Sequence, residues 1–251
     1  MSPESSSQRS PAPASPFVVL QQDAHLVQIV NAALTDATRR AGPHLACRPG
    51  CTQCCYGAFA INPLDALRLR AAMQQMAVNQ PEQAASIAER ANRYLAEFSP
   101  SFPGNQQTGI LGTSDEDQEA FEDFANQAPC PALNPESGLC EMYDARPMTC
   151  RVFGPPVRSV HADEEGLAVC ELCFTEASET EILAAEMHPP REEEQALLEA
   201  VEQLAAVEQL EAVEEAVLAP DRDSVVAGNS AQGDTVIAWC LAESAFLERL
   251  G

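Results

Sequence analysis

The feature that most constrains this 251-residue chain is an ordered series of cysteines. Ten cysteines occur in all, and nine of them lie between residues 47 and 173. The nine are Cys47, Cys51, Cys54, Cys55, Cys130, Cys140, Cys150, Cys170 and Cys173. Thiolates separated by two or three residues reach a common ion when a tight turn joins them. We therefore predict that these nine cysteines are metal ligands and that the fold is organised around them.

A disulfide framework is the alternative interpretation of so many cysteines. The chain shows no apolar secretion signal near its start, where the first apolar run covers only Phe17 to Leu20. Ten cysteines in 251 residues are also fewer than the roughly 8–10% found in disulfide-rich scaffolds. We expect a cytoplasmic protein whose reduced thiols bind zinc or iron, the latter as an iron–sulfur cluster.

The charge of the chain excludes some partners. With 14 basic and 38 acidic residues, the formal net charge is −24. Phosphate backbones and anionic membrane surfaces repel such a chain, so we expect neither nucleic acid nor a membrane as partner. The metal ion itself is the expected ligand.

Composition and apolar spacing predict a mainly α fold, with helices around an irregular cysteine-rich metal-binding centre. The predicted helices run from Phe17 to about Arg40, from Asn62–Pro63 onward, from Gln80–Pro81 to about Phe98, and from Ser114 to about Gln127. In the second helix, the predicted buried stripe consists of Leu64, Leu67, Ala71 and Met76. Between Cys130 and Cys173 we expect only short turns, because metal ligation can organise a stretch that lacks a core.

Three regions are predicted along the chain: a disordered tail over 1–16, a cysteine-cluster metal-binding domain over 17–188, and an acidic helical region over 189–251. Between Glu192 and Glu215 there are nine Glu and no Lys or Arg. A six-residue near-repeat there advances a helix by about 600° per repeat, so its apolar surface winds around the axis. We expect this helix to pack on several neighbours; a partner-binding helix is the alternative. Asp234 is predicted to cap a last helix that continues through Trp239 to Leu250.

Two segments of the chain resemble the YkgJ-type cysteine cluster proteins, also named the CxxCxxCC zinc- or iron-chelating family. They are Cys47-x3-Cys51-x2-Cys54-Cys55 and Cys140-x2-Tyr143-x2-Arg146-Pro147-x2-Cys150-Arg151. The first pair is separated by three residues where the family name implies two, and either Cys170 or Cys173 matches the family's last cysteine. The resemblance covers about Cys47 to Cys173 and implies metal or iron–sulfur binding without implying a reaction. Some members of the broader group look like lysine methylases, but this chain contains no GxGxxG cofactor loop.

Within the cysteine series, Cys47, Cys51 and Cys54 are predicted to share one centre. Adjacent side chains usually diverge, so either Cys54 or Cys55 is expected to face a second site or to be a spare thiol. Nine cysteines could fill two four-ligand sites with one left over. Spacing does not choose between iron and zinc, because thiolates accept both.

Several other side chains are candidates for supporting roles. Arg146 and Arg151 flank Cys150, where a guanidinium would offset thiolate charge; a turn and a surface ion pair are the alternative. The remaining residues considered are His44 and His161 as extra ligands, His25 as a partly buried helix residue, His188 as a surface residue, and Cys240 as core filler.

Three classes of function follow. The first is an iron–sulfur protein for electron transfer, cluster handling or redox sensing. The second is a zinc-structured interaction module whose acidic helices meet a protein partner. The third is a metal-dependent enzyme, such as a methylase-like protein. Since no catalytic constellation or organic cofactor site is recognisable, the sequence favours a protein without catalytic activity.

Overall fold

The structure is a computed structural model that describes residues 15–158, 166–218 and 233–242. The predicted disordered tail lies outside the described residues up to position 14, and His161 lies outside them as well. In the described part of the chain there are eight α-helices and three sheets of two short strands each. This confirms the prediction of a mainly α fold.

The first helix, α1, spans Pro16–Ala41, close to the predicted bounds. Ser15 caps its beginning, since the Val18 amide donates a hydrogen bond of 3.4 Å to the Ser15 hydroxyl. Gly42 ends the helix with a φ of 53°, a left-handed value that favours glycine. The sequence Gly42-Pro43 predicts a helix stop, and this prediction is confirmed.

The next two helices, α2 over Pro63–Asn79 and α3 over Pro81–Phe98, begin where predicted. The predicted buried stripe of α2 is largely wrong. Leu64 is buried as expected, but Leu67, Ala71 and Met76 are only partly buried, and the other buried residues are Asp65, Ala66, Arg68, Leu69 and Met73. The reason is that α2 contacts α3 on one side and α1 on another, so its burial is not confined to a single stripe.

The segment that follows contains a small hairpin and a short helix. Strand β2 (Gly104–Asn105) pairs antiparallel with β3 (Ile110–Leu111) inside the predicted loop. Helix α4 spans Asp115–Asp123 and is capped by Ser114 as predicted, because the Asp117 amide donates to the Ser114 hydroxyl. It ends before the predicted Gln127, since Phe124 leaves the helix to pack edge-on against Phe102.

The central segment has little regular structure, as predicted. It contains a 3-10 turn over Tyr143–Ala145, helix α5 over Met148–Val152, and strand β4 (Val157–Arg158) paired antiparallel with β5 (Leu167–Ala168). Helix α6 follows over Glu179–Ala184. Hydrogen bonds between loops therefore carry much of the order in this part of the molecule.

The end of the described chain packs onto the same core. Helix α7 spans Arg191–Leu218 and contacts both α1 and α2, with Leu197 buried against them. Strand β6 (Thr235–Val236) pairs antiparallel with β1 (Ala60–Ile61), directly after the first cysteine cluster. The contacts of α7 with two neighbouring helices agree with the expectation that its apolar surface winds around the helix axis.

The last helix differs from the prediction. Helix α8 spans only Ile237–Leu241 in the described residues, and its N-cap is Val236, not Asp234. Asp234 instead accepts a backbone hydrogen bond from Leu111, because the chain is extended there to form β6. Cys240 is fully buried in the core beside α2 and α3, which confirms its assignment as core filler. None of the helices in the described ranges has the length and hydrophobicity needed to cross a membrane.

Candidate metal centre

All ten cysteines are free thiols, and the nine in the series form two groups. The four-thiol group consists of Cys47, Cys51, Cys170 and Cys173; the five-thiol group consists of Cys54, Cys55, Cys130, Cys140 and Cys150. Neighbouring thiols help to raise the pKa of Cys47 and Cys170 in the first group and of Cys55, Cys130, Cys140 and Cys150 in the second, because two adjacent thiolates repel each other. Each thiol that contributes to such a rise belongs to the same group as the thiol whose pKa it raises.

The four-thiol group joins the first cluster to the closing C-x-x-C pair. The pKa of Cys47 is raised to about 12, first by burial and then by the charges of Cys173, Cys170 and Cys51. The Ala46 amide donates a hydrogen bond of 3.3 Å to the Cys173 sulfur. The group therefore brings together thiols from segments more than a hundred residues apart.

The four-thiol group contains two cysteine pairs, Cys47 with Cys51 and Cys170 with Cys173, and each pair lies on a local turn. Between Cys47 and Cys51 the chain turns at Gly50, whose φ is 86°. The Cys51 amide closes this turn with a hydrogen bond of 2.9 Å to the Arg48 carbonyl. In the closing pair, the Cys173 amide donates 2.8 Å to the Cys170 carbonyl. Both pairs thus sit on tight turns, as the spacing predicts.

Gly154 packs directly on the four-thiol group. A Cβ atom at this position would lie 2.7 Å from the Cys47 sulfur, and its φ of 123° is itself unfavourable for other residues. Glycine is needed here because any side chain would displace the thiol.

The first cluster and the closing pair are also tied by contacts outside the thiols. The Phe174 amide donates 2.8 Å to the His44 carbonyl, and the Gln53 side-chain amide donates to the Glu171 carboxylate. The geometry of the four-thiol group therefore depends on backbone and side-chain contacts as well as on sulfur.

The five-thiol group begins with the adjacent pair. The Cys55 thiol donates a hydrogen bond to the Cys54 sulfur, which is the main cause that lowers the pKa of Cys54 to about 6; the Arg146 guanidinium also lowers it. The same bond raises the pKa of Cys55 well above its ordinary value. Both sulfurs therefore face the same group.

The later thiols of this group are partly buried and lie around Cys54. Burial is the largest cause that raises the pKa of Cys130, to about 12, and it also raises the pKa values of Cys140 and Cys150. Cys54 contributes to each of these three increases. Cys54 is thus the member of the first cluster that neighbours all three later thiols.

Backbone amides point at two of these sulfurs. The amides of Ala132 and Leu133 donate to Cys130, and the amide of Met142 donates to Cys140; each bond offsets part of the rise in pKa that burial causes. Hydrogen bonds of this kind stabilise the thiolate, which is the form that binds metal. The donor set therefore suits a metal centre.

Two connections bring the loops of the five-thiol group together. The Cys130 amide donates a hydrogen bond of 2.7 Å to the Cys55 carbonyl, which joins the loop that carries Cys130 to the first cysteine cluster. The Arg90 guanidinium donates 2.8 Å to the Pro131 carbonyl and also pairs with the Glu141 carboxylate. Arg90, from α3, thereby holds the loops of Cys130 and Cys140 from the outside.

A cavity of about 510 Å³ adjoins the thiols. It is bordered by the whole five-thiol group, by Cys47 and Cys51, and largely by apolar side chains. Arg146 lies at this cavity with its guanidinium carbon 4.1 Å from the centre of the Tyr143 ring. In the described part of the chain, Arg146 Nε is the only buried side-chain nitrogen or oxygen without a hydrogen-bond partner.

No group of three or more His, Cys, Asp or Glu side chains within the described ranges has the spacing of a bound ion. Metal binding would therefore require the thiols of each group to draw closer together. The chemistry fits: soft sulfur donors suit zinc and iron–sulfur clusters, amides stabilise the sulfur charge, and one guanidinium stands beside the larger group.

The structure differs from two expectations about the first cluster. Cys54 does not share a group with Cys47 and Cys51, and the side chains of Cys54 and Cys55 do not diverge. The physical reason is the 3-10 turn over Gln53–Cys55, followed by the backbone bond from Cys130 to Cys55. Together they turn both sulfurs of the pair toward the later cysteines.

The two arginines beside Cys150 have different surroundings. Arg146 lowers the pKa values of Cys54 and Cys140, in keeping with a role in offsetting thiolate charge. Arg151 is buried and donates 3.1 Å to the Arg146 carbonyl and 3.0 Å to the Asn31 side chain. Arg151 therefore holds the backbone, and among the described residues it pairs neither with a thiol nor with a surface carboxylate.

The side chains of His44 and His188 lie near carboxylates. His44 Nε2 lies 3.5 Å from the Glu181 carboxylate, and its ring stacks on Phe174. His25 is exposed, not partly buried as expected, because it lies on the outer face of α1. His188 is exposed, as expected, and lies 3.7 Å from Glu186.

The sequence interpretation missed the residues that brace the site. Asp23, Asp65 and Arg68 are buried ion-pair partners, and Arg90 holds two ligand loops. The available signal was weak: Asp65 and Arg68 are charged residues three positions apart at the start of an otherwise apolar helix face.

These features define a mainly helical protein with a cysteine-rich metal site. The model of the family described as "CxxCxxCC: Putative zinc- or iron-chelating domain" matches residues 46–174, just over half of the chain, and the protein belongs to this family. The match covers both thiol groups and confirms the resemblance seen in the cysteine spacing. No curated protein and no solved structure matches the chain.

Proposed function

We propose that this protein binds two metal centres through cysteines, with four ligands at each. The observation that carries the proposal is the separation of the nine thiols into a group of four and a group of five. Each group has enough sulfur for a complete four-ligand shell, and the fifth thiol of the larger group is the one left over.

The four-thiol group is proposed to bind zinc. Its two pairs lie on tight turns, an arrangement typical of tetrahedral structural zinc sites. Its members come from segments at opposite ends of the family domain, so a bound ion would hold the domain closed. This role is structural.

The five-thiol group is proposed to bind an iron–sulfur cluster. Support comes from the adjoining cavity of about 510 Å³, which all five thiols border, and from the Arg146 guanidinium near Cys54 and Cys140. A cluster needs more room than a single ion, and a buried guanidinium offsets its negative charge. The proposed ligands are Cys54, Cys130, Cys140 and Cys150, with Cys55 donating its thiol hydrogen bond to Cys54.

Such a centre would serve electron transfer, cluster handling or redox sensing in a reducing cytoplasm. A protein partner would meet the acidic face of α7, where Glu192, Glu193, Glu199 and Glu202 are exposed. Over residues 191–205, whose side chains the structure describes, the opposite side of the helix packs on the core, so the acidic face is the side that a partner would meet there.

Anaerobic purification of the full chain, followed by absorption spectroscopy and analysis of zinc, iron and sulfide, tests the proposal. We expect a brown protein with iron, sulfide and one zinc per chain. A colourless protein with two zinc ions would favour the zinc-structured interaction module instead. A chain that binds neither metal under reducing conditions would refute both.

A further inference from the structure

A buried network of charges lies beneath the five-thiol group. Arg68, from α2, donates hydrogen bonds of 2.6 Å and 2.5 Å to Asp23 on α1, and one of 2.6 Å to Asp65 on its own helix. All three side chains are buried, with at most 7% of each residue exposed. Burying charges is costly, and an apolar replacement is often as stable, so packing alone does not account for this network.

The network reaches the metal site through two backbone groups. The Met148 amide donates to both carboxylate oxygens of Asp65, at 3.0 Å and 3.1 Å. Arg68 also donates 3.3 Å to the Arg146 carbonyl. Met148 is the first residue of α5, two positions before Cys150, so the network holds the backbone on both sides of Pro147.

Helix α5 needs such an anchor because it is short. It has five residues, so few bonds within the helix hold it, and its first amides have no acceptor of their own. A buried carboxylate supplies that acceptor and sets the position of the helix start. Since Cys150 follows within the first turn, the direction of its thiol depends on where Asp65 holds Met148.

On the basis of the proposed function, we propose that Asp65 is a positioning residue for the five-thiol centre: it fixes the start of α5 and thereby places Cys150 and Arg146 relative to the other thiols. Asp23 serves a different purpose, because it contacts Arg68 and makes no bond to the segment that carries the site. The two carboxylates are therefore matched in burial and in their shared partner, but only Asp65 touches the site.

Cobalt binding to the full chain tests this assignment. Co²⁺ replaces zinc in thiolate sites, and its sulfur-to-metal charge-transfer band reports how many thiolates ligate it. Replacing Cys47 and Cys173 by Ser leaves the five-thiol group as the reporter. In this background, we expect Asp65→Asn to weaken cobalt binding by about tenfold or more and to reduce the charge-transfer intensity per bound ion. We expect Asp23→Asn to change both by less than about threefold.

Equal losses from Asp65→Asn and Asp23→Asn would overturn the proposal, because they would show general destabilisation. No loss from Asp65→Asn would overturn it too. If Asp65→Asn does not fold by circular dichroism, Asp65→Glu replaces it: this variant keeps the charge but displaces the carboxylate by one methylene. It should show a smaller loss in the same direction, and an unchanged spectrum and affinity would refute the assignment.

The four-thiol group provides a second control and separates this inference from the proposed function. In a background with Cys54 and Cys150 replaced by Ser, cobalt binding should be the same with and without the Asp65→Asn substitution. A chain with all its cysteines that binds no cobalt would refute the proposed function and, with it, this inference. Normal binding by that chain together with an unaffected Asp65→Asn variant would refute only the inference.

Discussion

The two thiol groups are held in different ways. The four-thiol group is formed by two tight turns that meet, and its closing pair, Cys170 and Cys173, is buried. The five-thiol group is packed against helices, with Arg90 and Glu141 outside one pair of loops and Asp65 beneath Cys150. The four-thiol group thus depends on contacts between two distant turns and with the end of α1, whereas the five-thiol group depends on charged side chains from α2 and α3.

Loss of a whole centre is the largest effect that we expect. Cys150→Ser should remove the metal of the five-thiol group and leave one zinc per chain, whereas Cys173→Ser should do the reverse. The reason is that each substitution removes a proposed ligand from one group only. Metal analysis of the purified variants measures this, and loss of both metals from either variant would show that the two groups are not independent.

Gly154→Ala should weaken the four-thiol centre specifically. The new Cβ would lie 2.7 Å from the Cys47 sulfur, so either the thiol or the backbone must move. We expect about tenfold weaker zinc binding at this group and an unchanged five-thiol centre. Competition with a chelator measures the affinity. Gly166→Ala is the matched control, since a Cβ there meets no atom of the described residues within 4 Å.

Arg90→Ala should have a smaller effect, confined to the five-thiol group. The substitution removes the bond to the Pro131 carbonyl and leaves the half-buried Glu141 carboxylate without its guanidinium. We expect a loss of about 1–3 kcal/mol in the free energy of unfolding, measured with denaturant. Arg39→Ala removes an exposed pair with Asp36 and should cause no measurable loss. Equal losses would mean that Arg90 does not brace the loops.

Cys55→Ser should have the smallest effect on metal content. Serine still donates a hydrogen bond to the Cys54 sulfur, and Cys55 is the thiol left over in the proposed ligand set. Iron, sulfide and zinc per chain should be unchanged, as they should be for Cys240→Ser, a core cysteine outside the series. A drop in iron for Cys55→Ser alone would make Cys55 a ligand and would require a new choice among the five thiols.

Much of the local structure could be predicted from the sequence, because its causes are local. Asn62 and Ser114 cap helices where their positions indicated, and Gly42 ends α1. Asp234 is the exception: its residue type suits a cap, but pairing of β6 with β1 keeps the chain extended there. The pairing of β6 with the distant strand β1 therefore outweighed the local preference of Asp234 for a helix cap.

The sequence by itself determined that the chain is mainly helical and that its cysteines belong to a family of metal-chelating domains. Spacing of two or three residues specifies a turn, and a turn can be recognised without knowing what packs against it. The adjacent pair shows the limit of that reasoning. Whether Cys54 and Cys55 face Cys47 or the later cysteines depends on which distant segment bonds to the backbone beside them.

Only the tertiary structure decided how the thiols divide. The amide of Cys130 bonds to the carbonyl of Cys55, and Asp65 receives the amide of Met148, although more than seventy residues separate the partners in each case. Val236 and Ala238, from the end of the described chain, border the cavity beside the thiols. Such contacts form because the helices bury a shared core. The residue pattern of one segment does not specify which distant segments will pack against it.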